Sequence, residues 1–143
     1  MRPMRRYLVV ANQTLVGEPL AAKVRELMGT GPCQFYLVVP ATHPHHHATW
    51  TEGGATAIAT RRLGGALVRL RALGAEVEGH VGDERPADAV RDAILAGPHF
   101  DAIVLSTLPP GISRWMRQDL PHRLERAFGL PIIHVTDVAV AAA

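Results

Sequence analysis

Short apolar runs alternate with segments of helical periodicity along most of the chain. Continuous β-rich apolar runs, of the length expected for strands covered on both faces, lie at positions 7–11, 33–39, 101–106 and 132–135. Apolar residues at helical spacing follow each of the first three strand segments and precede the last strand. The pattern predicts a three-layer α/β/α fold with a five-stranded, doubly wound parallel sheet.

Three local features refine this prediction. Segment 76–81 alternates polar with apolar or small residues, which predicts an edge strand with one solvated face. The Gly64-Gly65 pair lies inside the predicted helix 55–73, where it predicts close packing on a neighbour. Pro121 falls within the last helical region, which begins at Ser113, and should kink this helix or split it.

Length and composition predict one domain spanning residues 1–143, with 48% hydrophobic side chains. The chain has no uninterrupted apolar run long enough to span a membrane and no signal-peptide core, so we expect a cytoplasmic protein without a membrane partner. Cys33 is the only cysteine, which excludes an internal disulfide.

The charge pattern gives no reason to expect a nucleic-acid partner. The net charge is only +2, and the arginines are spread at spacings typical of solvated helix faces. The arginines considered are those at positions 61, 62, 69, 71, 114, 117, 123 and 126.

A ligand crevice is expected where the winding of such a sheet reverses, between the loops after strands one and four. The first loop, 12–14, has neither the glycines of a dinucleotide fingerprint nor the lysine of a P-loop. The second, 106–114, offers hydroxyls, Gly111 and helix-start amides that could hold an anion. The sequence favours the alternative of a turn in which Ser113 caps a helix and Arg114 lies on the surface.

Several segments of the C-terminal two-thirds resemble the universal stress protein family. They are Gly74-Ala-Glu-Val-Glu-Gly-His-Val-Gly-Asp83, Asp101-Ala-Ile-Val-Leu105, Gly111-Ile-Ser-Arg114, Arg123-Leu-Glu-Arg126 and Pro131-Ile-Ile-His-Val135. The resemblance implies the strand order 3-2-1-4-5 of the adenine nucleotide alpha hydrolase-like fold. It also implies a stress-response or regulatory role, and a homodimer formed through the C-terminal strand and its tail, in which Val138 and Val140 alternate.

Members of this family that bind ATP hold its phosphates with a glycine-rich motif. An ungapped alignment on Gly111-Ile-Ser-Arg and Pro131 places the motif's three glycines at Leu105, Leu108 and Gln118, and its hydroxyl at Asp119. The family's acidic residue after strand one becomes Asn12. These departures argue against ATP binding of the family's usual kind. At Asp119, an aspartate at a helix start should act as a cap, and its charge would repel a phosphate.

A modified nucleotide site for ATP or AMP with magnesium stays open as an alternative. Its candidate residues are Asn12 and Thr14 near the ribose, Val39 against the base, and Ser106, Thr107, Gly111, Ser113 and Arg114 near the phosphates.

A second alternative is a metal-binding module in the loop after strand two. Four histidines, His43, His45, His46 and His47, could bind zinc, nickel or copper, although neighbouring residues on one loop rarely reach tetrahedral geometry together. No catalytic set stands out, because no nucleophile elbow frames a serine. The sequence therefore favours a non-catalytic regulatory protein over an enzyme.

Overall fold

Strands and helices alternate along the chain as the sequence predicts. The computed structural model describes residues 4–42, 52–97 and 99–137. Its strands are β1 (Arg5–Val10), β2 (Cys33–Pro40), β3 (Val77–Gly82), β4 (Ala102–Thr107) and β5 (Ile132–Thr136). Its helices are α1 (Glu18–Met28), α2 (Glu52–Ala72), α3 (Pro86–Ala96), α4 (Arg114–Arg117) and α5 (Leu120–Phe128).

The strands form a five-stranded parallel sheet in the order β3-β2-β1-β4-β5, which confirms the predicted topology. β1 is central, and its Tyr7 pairs with Phe35 of β2 on one side and with Ala102 of β4 on the other. The chain moves outward from β1 to β3, then returns to β4 on the opposite side of β1. The winding therefore reverses between β1 and β4.

Alternate side chains of β1 enter two separate apolar layers. Tyr7 and Val9 pack with α1 and α2 on one face of the sheet, whereas Leu8 and Val10 pack with α3 and α5 on the other. Leu8, Val9 and Val10 have no exposed surface. Because full burial of such a side chain contributes about 1.5–3 kcal/mol, a strand of this composition is stable only in the middle of the sheet.

β3 is the edge strand that the alternation predicts, and its Gly79 lies beside Leu37 of β2. A Cβ atom at Gly79 would lie 2.5 Å from the carbonyl oxygen of Leu37, its register partner, and 3.0 Å from a methyl of Leu63. Position 79 therefore requires glycine, because β2 and α2 leave no space for a side chain there.

The prediction for the glycine pair of α2 is wrong. A Cβ atom at Gly64 would meet nothing within 4 Å, and one at Gly65 would make only an ordinary contact of 3.8 Å with Val16. Both glycines face solvent, because the buried stripe of α2 passes through Leu63 and Ala66 on either side of them. The pair is not required by packing.

The last helical region is split, as Pro121 predicts. α4 ends at Arg117, and Pro121 occupies the first turn of α5. Backbone amides in a first turn have no acceptor within the helix, so proline costs no helical hydrogen bond there. The expectation that Asp119 caps α5 is wrong. Asp119 has a left-handed backbone with φ 55°, not the extended conformation that capping uses, and its carboxylate contacts His122 Nδ1 at 2.8 Å.

None of the described helices is both long enough and apolar enough to cross a bilayer.

Candidate ligand cleft

An open cleft of about 790 Å³ lies at the carboxyl ends of β1 and β4. Its lining comes from the loops after β1 and β2, the end of β4 and the segment that follows it, the first half of α2 and the N-terminal part of α3. α4 and the beginning of α5 complete it. This is the position where the winding of the sheet reverses, and therefore the place where doubly wound sheets bind ligands.

A pair of buried hydroxyls joins the two central strands at the base of the cleft. Thr14 Oγ1 and Ser106 Oγ lie 2.6 Å apart, and either can donate the hydrogen bond. Both side chains are almost completely buried, at 2% and 1% exposure. The contact holds the loop after β1 against the end of β4.

Asn12 connects three elements around the cleft. Its Nδ2 donates to the carbonyl oxygen of Pro40 at 2.6 Å and to Thr42 Oγ1 at 3.1 Å, at the end of β2. Its Oδ1 accepts a hydrogen bond from the guanidinium of Arg62 on α2. Both ends of this buried amide are thus satisfied, and the position of Arg62 is fixed by it.

Arg62 carries its charge in a partly buried position. Burial, and secondarily the charge of Arg61, lowers the pKa of the Arg62 guanidinium below its ordinary value. An arginine nevertheless stays protonated at neutral pH. Among the carboxylates whose side chains the structure describes, none forms an ion pair with Arg62. The Asn12 side chain orients this cation without neutralising it.

The opposite side of the cleft is formed by the segment after β4. The backbone amides of Ile112 and Ser113 both donate to the Pro109 carbonyl, at 3.0 and 2.9 Å, and Ser113 Oγ accepts from the Met116 amide at 3.2 Å. The segment is therefore a turn followed by a capped helix. Arg114 of α4 and Arg123 of α5 extend from this side, both exposed and both lining the cleft.

Thr107 makes the one hydroxyl–imidazole contact found among the described cleft residues. Its hydroxyl donates to the Leu108 carbonyl at 2.8 Å and lies 2.8 Å from His134 Nε2. A hydroxyl has one proton, so its oxygen accepts from the imidazole. Burial lowers the pKa of His134. In this arrangement the imidazole is a donor to Thr107, and it does not act as a base toward it.

The charges that line the cleft are mainly positive. Four arginines contribute to the described lining, and the two carboxylates beside them belong to Glu84 and Asp88. The Asp88 carboxylate lies 3.4 Å from the guanidinium of Arg91, outside the cleft. A lining with excess positive charge favours an anionic ligand.

Most of the residues that the sequence suggested for a nucleotide site lie together here. The lining includes Asn12, Thr14, Ser106, Thr107, Ser113 and Arg114. Val39 lies elsewhere, fully buried in the apolar layer beneath α2, and Gly111 is exposed outside the cleft, where its carbonyl accepts from Arg117 at 3.3 Å.

The histidines at 43, 45, 46 and 47 lie outside the described residues, so the metal hypothesis stays a prediction. Within the described parts of the chain, no group of three or more histidine, cysteine or acidic side chains is arranged to hold a metal ion.

Sequence reasoning missed three cleft arginines, Arg62, Arg85 and Arg123. The expectation of a solvated helix face is wrong for Arg62, which is partly buried, whereas Arg123 is exposed as expected. Both residues line the cleft because helices far apart in the sequence converge at one edge of the sheet. One signal was available. In a parallel α/β sheet, the first turns of a helix that follows a strand lie at the carboxyl edge of the sheet, and Arg85 directly precedes α3, the helix that follows β3. Arg62 lies in the middle of α2, so this rule does not identify it.

No protein-family model and no curated protein matches this chain significantly. Among solved structures, it is similar to a universal stress protein from Archaeoglobus fulgidus, with TM-score 0.61 and 19% identity over 92% of this chain and 93% of that one. A universal stress family protein from Burkholderia pseudomallei gives TM-score 0.61 and 14% identity, covering 90% and 93% of the two chains.

A third similar structure is the Archaeoglobus fulgidus universal stress protein in complex with dAMP. It gives TM-score 0.58 and 19% identity over 94% of this chain and 99% of that one. Identities this low establish the fold alone. The chain has the universal stress protein fold.

Proposed function

We propose that this protein is a non-catalytic regulatory protein of universal stress type that binds an adenine nucleotide in the cleft. The observation that carries the proposal is the set of arginines at the carboxyl ends of β1 and β4, where the fold binds ligands. A cleft of about 790 Å³ is also within the range of small-molecule sites.

Arginine side chains would replace the glycine-rich phosphate loop in this site. Leu105 and Leu108 stand where the resemblance places glycines, so the backbone approach used by that loop is not repeated here. Arg114 and Arg123 present guanidinium groups on the same side of the cleft. Guanidinium groups bind phosphate oxygens with two parallel hydrogen bonds, which are among the stronger polar contacts in proteins.

The remainder of the cleft suits the base and sugar of a nucleotide. Ile58, Leu108, Ile112 and Trp115 contribute apolar surface to the lining. Gln13 is exposed at the mouth of the cleft and offers an amide to a base or ribose. The complex of the Archaeoglobus fulgidus protein with dAMP further supports an adenine nucleotide as the ligand class.

The polar contacts at the base of the cleft favour binding over catalysis. Ser106 is hydrogen-bonded to another hydroxyl, that of Thr14, and Thr107 donates its proton to a backbone carbonyl. Among the described residues, neither Ser106 nor Thr107 donates its proton to a group that could act as a base, and an activated nucleophile needs such a group.

Calorimetric titration of the nucleotide-stripped protein tests the proposal. We expect AMP, ADP and ATP to bind with micromolar affinity, more weakly at high salt because the contacts are ionic. Parallel titrations with magnesium and with EDTA should both show binding, since arginine charges and not a metal ion balance the phosphates. Absence of heat and of ligand-induced thermal stabilisation with all three nucleotides would refute the proposal.

We also propose that two copies of the chain pair through β5. This strand is at the edge of the sheet, with β4 as its described partner. The Pro131 carbonyl and the Asp137 amide face β4, so alternation directs the backbone groups of Ile132, His134 and Thr136 away from the sheet. Edge groups that no described strand pairs with favour the addition of another strand.

Light scattering at micromolar concentration should give twice the chain mass of 15.4 kDa. His134→Pro removes an outward amide hydrogen without altering the β4–β5 ladder, and should give monomers. His134→Ala keeps that hydrogen while losing the contact with Thr107, so it should remain dimeric. A monomeric wild-type protein, or dimers of both variants, would contradict pairing through β5.

A further inference from the structure

We infer that the cleft is selective for adenine nucleotides that carry a second phosphate on the ribose, bound by Arg62. The inference rests on the proposed function and names the ligand class more closely. Arg62 is separate from the arginines assigned to the 5′-phosphates. It is on α2, where it is hydrogen-bonded to the loop after β1, whereas Arg114 and Arg123 belong to the helices after β4.

The first step of the argument is the state of Arg62 without a ligand. It is a partly buried cation that lines the cleft and is oriented by a neutral amide. Taking a guanidinium out of water carries a desolvation cost, and an opposite charge offsets that cost. Among the described side chains no carboxylate provides this charge. A ligand anion would provide it.

The second step concerns where this anion lies on the ligand. In doubly wound sheets a nucleotide lies across the crevice, with phosphates on one side and the ribose reaching the other half. Arg114 and Arg123 supply positive charge beyond β4, so the ribose would lie toward β1 and Asn12. A carboxylate after a strand binds ribose hydroxyls in such folds, whereas a nearby arginine accommodates a ribose phosphate. The pair of Asn12 and Arg62 corresponds to the arrangement in which an arginine binds a ribose phosphate.

The third step is the role of Asn12 in this selectivity. An aspartate at this position would neutralise Arg62 and repel a ribose phosphate. The amide instead donates to Pro40 and Thr42, so its oxygen is directed to Arg62. The hydrogen-bond pattern therefore holds the guanidinium in place and leaves its remaining N–H groups for an anion.

Affinities for AMP, adenosine 2′,5′-bisphosphate and adenosine 3′,5′-bisphosphate test the inference by calorimetry. We expect one of the bisphosphates to bind at least about tenfold more tightly than AMP, because one additional charge-assisted contact contributes about that much to affinity. The ratio of the affinity for that bisphosphate to the affinity for AMP should fall to about one in Arg62→Ala. In the matched variant Arg61→Ala, which changes an exposed neighbour outside the cleft, the tenfold ratio should persist.

Arg62→Gln is a second variant, because it keeps a donor for Asn12 while removing the charge, and the ratio should collapse there as well. If AMP binds but neither bisphosphate binds more tightly, the inference is wrong and the proposed function stands. A gain that survives in both Arg62 variants also overturns the inference. If no nucleotide binds at all, the proposed function has failed, and the inference fails with it.

Discussion

Replacing Arg114 and Arg123 together by alanine should lower the affinity for ATP at least about 100-fold, as measured by calorimetric titration. Each guanidinium is expected to form charge-assisted hydrogen bonds with phosphate oxygens, and such contacts contribute about 1.5–3 kcal/mol each. Both side chains are exposed on the described surface, so the double variant should stay folded, which circular dichroism checks. The loss should be smaller for AMP, which has fewer phosphate charges than ATP.

The matched control is the double variant Arg117→Ala with Arg126→Ala. These residues lie on the same two helices, and their removal changes the net charge equally, but neither lines the cleft. The control should bind ATP within about twofold of the wild-type affinity, because exposed charges outside the cleft are screened by salt. Equal losses in both double variants would mean that the effect is one of overall charge, and the phosphate assignment would then be wrong.

Gly79→Ala should lower the free energy of unfolding by about 2–3 kcal/mol, near the upper end of the usual cost of overpacking. The new Cβ would lie 2.5 Å from the Leu37 carbonyl oxygen, 2.8 Å from the Leu37 Cβ and 3.0 Å from a Leu63 methyl. Relief requires β3 to move away from β2 or α2 to shift. Urea unfolding followed by circular dichroism measures the change.

The same substitution at Gly64 is the control, and its expected effect has the opposite sign. Alanine there meets no atom within 4 Å and raises helix propensity in an exposed turn of α2, which should stabilise the protein by about 0.5–1 kcal/mol. A Gly79→Ala protein as stable as wild type would show that the β2–β3 spacing is wrong. A destabilised Gly64→Ala protein would show that the glycine pair faces a neighbour after all.

The fold could be predicted from the sequence because the hydrophobic pattern of each strand agrees with the strand's position in the sheet. The apolar runs at β1 and β4 require burial on two faces, whereas the alternation at β3 permits one solvated face. The predictions for the α2 glycines and for Asp119 failed because tertiary structure, and not local sequence, determines their surroundings and conformation. The pattern of α2 does not say which side its glycines occupy, and the left-handed backbone at Asp119 is set by the turn between two short helices.

The site was predictable only in part. Asn12, Thr14 and Ser106 follow from topology, because they lie at the carboxyl ends of strands that must be neighbours. Arg123 was not predictable in the same way, since its approach to the cleft depends on how α5 turns after Pro121. Val39 shows the converse difficulty, because a residue near the right end of a strand can still face the core.

The central position of β1 also bears on how the chain folds. Its pairing with β4 joins distant parts of the sequence, as in the hydrogen bond from the Arg6 amide to the Asp101 carboxylate, 95 positions away. Loop-closure entropy opposes such a contact until the intervening segments are ordered. The Thr14–Ser106 hydroxyl pair at the base of the cleft spans this same junction. The candidate cleft is therefore assembled when the two halves of the sheet join, and a nascent chain that ends before β4 does not contain it.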